Sequence, residues 1–166
     1  MLTDLHPPPI EPITLEEAKT FLRVDHDDEN DLIGTLIRAA RERLEDRLNV
    51  TMIERQMRFD CSDGGDIALP RWPISSVDTV TLDEGPSTAF TLDLRARPVV
   101  VTVALGAPVS VTFTAGYGVS TDVIPAPPRQ AMLLLVANAY EHRTDIPETM
   151  PLMVDALTMP YRVLGL

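Results

Sequence analysis

Cysteine is almost absent from this chain: Cys61 stands alone among 166 residues. A lone thiol closes no internal disulfide and builds no cysteine-rich metal cluster, so the fold must hold in a reducing compartment. Aromatic residues are scarce too, with one Trp, three Tyr and four Phe, which argues against a stand-alone β-rich binding module that works through an exposed aromatic patch. Lys19 is the only lysine, every other basic side chain but the histidines being arginine, a bias that genome composition explains better than a need for bidentate carboxylate pairs. Positive charge is in deficit, with 14 Lys and Arg against 25 Asp and Glu and a formal net charge of −11. Phosphate contacts are made chiefly by Lys and Arg, so static DNA binding is disfavoured. No apolar run approaches the ~20 residues of a spanning helix. Asp4 and the run Pro7-Pro8-Pro9 occupy the place where a secretory signal needs a basic patch and an apolar stretch, so no export and no membrane are expected.

What is present is a clear alternation of textures. Thr14 followed by Glu17 makes a capping-box pattern, and Leu15, Ala18, Phe21 and Leu22 then share one helical face, predicting a helix near 15–22. Asp25, Asp27 and Asp28 supply capping oxygens for a second helix near 28–49, in which Leu32, Ile33, Leu36, Ile37, Ala40, Leu44 and Leu48 recur at helical spacing. Its acids come first and its arginines later, the order that the helix dipole favours. From Thr51 to Tyr117 short β-type runs are broken by SDGGD, EGPS and GAP, predicting a mainly antiparallel sheet with hairpin connections. Val109, Val111 and Phe113 alternate as a half-buried strand should. A third helix is predicted near 128–143, with Pro128 at its first position; it is apolar almost all round from Ala131 to Ala137, as a helix buried on several sides or in a subunit interface is. After Pro147, PLMVDALT can form one or two turns before the tail from Pro160 to Leu166. The reading is one α+β domain over 1–166: a helical bundle, two helices N-terminal and one C-terminal, with an inserted β region and a C-terminal segment 147–166.

Chemical motifs are weak. Carboxylates alternate from Asp25 to Asp31 as in a calcium loop, yet Asn30 replaces the turn glycine and Leu36 stands where the bidentate Glu belongs. A metal-dependent nuclease or hydrolase built on Asp25, Asp27 and Glu29 is the alternative this segment keeps open. His6, His26 and His142 have no partner at zinc-ligand spacing. The serines lie outside any Gly-x-Ser-x-Gly elbow, and Gly116-Tyr117-Gly118 lacks the Lys-Ser/Thr of a phosphate loop. Trp72 between Arg71 and Pro73 reads as a core anchor, and Cys61 as an inert, buried thiol. No catalytic residue, metal site or cofactor is expected.

The order of PITLEEAKTFLRVD, DENDLIGTLIRAARERLEDRLN, ALPRWPISSVDTVTLDEG, VTFTAGYG, IPAPPRQAMLLLVANAYEHR and MPYR resembles the head-tail connector, or adaptor, proteins of tailed phages and of related gene-transfer particles. The resemblance spans nearly the whole chain. It implies a helical bundle with an added β element and no catalysis. It implies a ring of twelve below the portal after genome packaging, assembled in the host cytoplasm and carried in the particle at the head–tail junction. The implied partners are the portal, the next tail or head-completion protein, and double-stranded DNA that passes without specific binding. By the same resemblance Tyr161, Arg162, Val163, Leu164 and Leu166 are the docking residues for the portal or a neighbouring subunit. Here the β region is longer than the hairpin of the smaller relatives.

Overall fold

The structure is a computed structural model that describes residues 1–82, 85–87, 89–94, 96–142 and 149–164. The chain divides into two compact units: Met1–Pro9, Asn49–Val119 and Val163–Leu166 form one, and Ile10–Leu48 with Ser120–Arg162 the other.

The first unit is β. Its strands are β1 (Leu2–Asp4), β2 (Arg55–Cys61), β3 (Gly65–Ala68), β4 (Ile74–Leu82), β5 (Gly85–Ser87), β6 (Thr91–Asp93), β7 (Val100–Val103) and β8 (Val109–Ala115). They form a five-stranded sheet in the order β1-β2-β8-β4-β5 and a three-stranded sheet in the order β3-β7-β6, with every strand pair antiparallel. Strict alternation along β8 buries Val109, Val111, Phe113 and Ala115. These join Met57 and Val80 from the same sheet, and Ile67, Val101 and Val103 from the other, in one apolar cluster, the arrangement by which two sheets share a core. The N-terminal strand was not foreseen from the sequence. Three residues are too few to show a period, and β1 is held from outside: it pairs Leu2 with Phe59 and Asp4 with Met57, and Asp4 meets the buried Arg55 guanidinium at 2.9 Å.

The second unit is helical. In α1 (Leu15–Leu22) both halves of the capping box form: Glu17 N–H donates to Thr14 Oγ1 at 3.1 Å, and Thr14 N–H donates to the Glu17 carboxylate at 2.8 Å. Arg23, in the left-handed region at φ 60°, ends the helix. The second helix, α2 (Asn30–Leu48), buries Ile33, Ile37, Ala40, Leu44 and Leu48, the stripe that its spacing predicts. One turn of that stripe is charged. Arg41, 4% exposed, reaches Glu11 at 2.8 Å, Glu45 at 3.2 Å and Glu42 at 3.4 Å; a guanidinium this buried is tolerated only where its donors are met. The third helix, α3 (Ala126–Glu141), starts two residues before the expected Pro128, since Pro127 and Pro128 both fit a first turn whose N–H groups have no helical acceptor. Ala131, Met132, Leu135 and Val136 are its buried face. The foreseen turns after Pro147 are α4 (Leu152–Thr158), followed by a 3-10 turn over Met159–Tyr161.

Gly116 shows where the β unit depends on a missing side chain. Its φ is +143°, and a Cβ there would lie 2.3 Å from the Glu54 Cα. Gly85, at φ +117°, has open space around it. Gly85→Ala should therefore cost only backbone strain, about 1–2 kcal/mol, whereas Gly116→Ala should cost on the order of 3–5 kcal/mol because backbone must also move. Thermal or urea denaturation of the two variants checks this, and equal losses would contradict it.

Candidate interaction surfaces

Two exposed surfaces of the helical unit combine apolar side chains with defined supports. The first is the outer side of α4. Val154 and Thr158, one turn apart and each 1% exposed, face inward. Arg47 grips Asp155 with its Nη2 3.1 Å from both carboxylate oxygens, and Arg43 donates to the Thr149 carbonyl at 3.1 Å. Both arginines of this α2 face thus hold the C-terminal segment and line a hollow of about 550 Å³ with Thr149, Met150 and Asp155. With that side engaged, Leu152 (89% exposed), Met153 (65%) and Met159 (71%) are left outward, with Ala156 exposed between them. The spacing i, i+1, i+4, i+7 makes one stripe along the segment.

The second surface is a groove of about 380 Å³ between α1 and α3, lined by Glu16, Glu17, Thr20, Phe21 and Leu133. Glu17 also bonds Arg129 of α3. The Thr14 N–H foremost, with Arg129 and the Thr14 hydroxyl assisting, holds its carboxyl below the ordinary glutamate value despite partial burial. Glu16, Thr20 and Phe21 are exposed.

The predicted docking residues do not share one environment. Val163 is 8% exposed, and its carbonyl accepts from Asn49 Nδ2 at 2.8 Å within the β unit. Tyr161 is half-buried, Arg162 is exposed and Leu164 is 70% exposed; Leu166 lies outside the described residues. Two acids of the 25–31 segment, Asp27 and Glu29, have structural partners. Asp27 meets Lys19 at 2.6 Å and accepts from Asn30 at 3.2 Å, with Lys19 the main cause of its lowered pKa, and Glu29 accepts from the Tyr140 hydroxyl. Among the described residues no group of three or more His, Cys, Asp or Glu is placed to hold a metal ion, and no helix is long and apolar enough to cross a membrane. Burial raises the Cys61 thiol pKa, which disfavours the reactive thiolate. Trp72 is half-buried, set edge-on against Tyr117 with ring centroids 5.8 Å apart and covered by the Arg97 guanidinium at 4.1 Å.

Residues 12–85 match the family model for the phage gp6-like head-tail connector protein. Solved structures match over the whole chain. One, described as the neck of an empty gene transfer agent (GTA) particle computed with C6 symmetry, has a TM-score of 0.84 at 25% identity, covering 100% of this chain and 97% of the other. A chain from the virion of a native gene transfer agent particle matches with the same TM-score and coverage at 26% identity. A third, from the neck of a native GTA particle computed with C12 symmetry, has a TM-score of 0.79 at 28% identity, again covering 100% and 97%. No curated protein sequence matches this chain. Residues 12–85 are thus similar to a head-tail connector family, and the full-length fold is similar to chains from the necks of phage-like particles. Its fold, enlarged β unit included, is that of the chains from gene transfer agent particles.

The capping box and its link to α3 give a pH signature. Because the folded-state pKa of Glu17 is depressed, its stabilisation is full above the ordinary Glu pKa of about 4.3 and is lost as pH falls through the lower folded value. Wild-type melting temperature should therefore fall more steeply than that of Glu17→Gln between about pH 5 and pH 3; the variant should be less stable at neutral pH, and parallel curves would contradict the assignment.

Proposed function

We propose that this chain is a structural adaptor subunit of a phage-like particle, working in a ring between portal and tail, continuing the DNA channel and carrying out no catalysis. The observation that supports this most is the TM-score of 0.84 over the full length to a chain from a particle neck. A ring of twelve fits the C12 symmetry of one matched neck structure, and both compact units serve as one connector domain. The proposed partners are the portal and the next tail or head-completion protein. The net charge of −11 suits a wall past which DNA slides without binding, and it also keeps the free subunit soluble.

The tail contacts the portal through Leu164 and Leu166, with Tyr161, Arg162 and Val163 forming its root. The burial of Val163 and its bond from Asn49 supply a fixed point from which the exposed Leu164 projects. The test is a point substitution, because deleting the segment would also remove the Val163 anchor. Leu164→Asp should leave the folding stability within about 0.5 kcal/mol of wild type, as surface changes do, while weakening binding to isolated portal rings at least tenfold. Undiminished portal binding would sink the docking role.

A further inference from the structure

The α4 stripe and the α1–α3 groove are unlike surfaces on the same helical unit, and each is incomplete. We propose that the stripe of one copy, Leu152, Met153, Ala156 and Met159, seats in the Phe21–Leu133 groove of a second copy, as a subunit contact around the ring. This rests on the ring reading above and adds the contact that would build it.

Three observations carry it. The stripe has the i, i+4, i+7 spacing by which a helix lays an apolar face into a groove, and its methionines adapt to irregular walls. The groove is open, its apolar lining is Phe21 and Leu133, and its volume of about 380 Å³ has room for side chains of this size. Charge is complementary: Glu16 is exposed at the groove rim, Arg162 is exposed three residues beyond Met159, and neither forms an ion pair among the described residues. A heterologous contact needs two different surfaces on one chain, and when its rotation closes it yields a ring. A second copy therefore satisfies both surfaces at once. Capture of the α4 stripe by the portal would satisfy only one, and it is an outcome of the test.

The test places cysteines in a Cys61→Ser background. Particles are assembled with Phe21→Cys, with Met153→Cys, or with both in one chain, and are then oxidised mildly. The double variant should give a ladder of disulfide-linked multimers of this chain, and each single variant should give none. The charge of the groove rim checks the contact independently of cysteine geometry: Glu16→Arg should reduce incorporation into particles at least tenfold, and Glu16→Gln, which sets no second positive charge against Arg162, should reduce it less. Two results would overturn the contact while leaving the adaptor role intact: incorporation of the double-cysteine chain without the ladder, or capture of Met153→Cys by another neck protein. Absence of even the wild-type chain from finished particles would overturn the adaptor role itself.

Discussion

The grip of Arg47 on Asp155, set beside the burial of Val154 and Thr158, decides what this chain can offer to a partner. A seven-residue helix has too few hydrogen bonds to persist alone in water, so α4 depends on its packing against α3 and on the tie from Arg47 of α2. An exposed ion pair contributes at most about 1 kcal/mol, and the larger share comes from burying Val154. What the pair adds is orientation. Asp155 turned toward α2 leaves Leu152, Met153, Ala156 and Met159 exposed, and an apolar stripe of this kind is what marks an interaction site.

Much of the fold could be read in the residues. The α2 stripe is regular for 19 residues, long enough for the helical period to dominate. The Thr14–Glu17 pair marked the first helix start to the residue, because a capping box is a local device that needs no tertiary partner. The antiparallel character of the β region followed from short connections, and the alternation along β8 held through its whole length. What escaped reading was decided by distant residues. The strand β1 depends on the buried Arg55 and on the edge of β2. Val163 looked like a free apolar tail residue, and nothing local shows that Asn49, 114 positions earlier, bonds its carbonyl.

The candidate surfaces were legible only in part. The tail was singled out for its apolar groups, and the stripe on α4 was not. In PLMVDALTMP nearly every position is apolar, so no contrast between faces tells which side is buried. The groove was equally hidden, since Phe21 was read as part of the inward face of α1 and stands 40% exposed. The acids of 25–31 drew attention as possible ligands. Lys19 and Tyr140 give Asp27 and Glu29 a structural explanation that spacing alone could not supply.

The central claim is that this chain is a structural ring component at the head–tail junction. Reconstruction of the neck from purified particles that carry this chain tests it most directly. The account predicts a closed ring of copies around the DNA channel, with the fold described above fitting each copy's density. Complete, tailed particles with no density for the chain at the junction would contradict it.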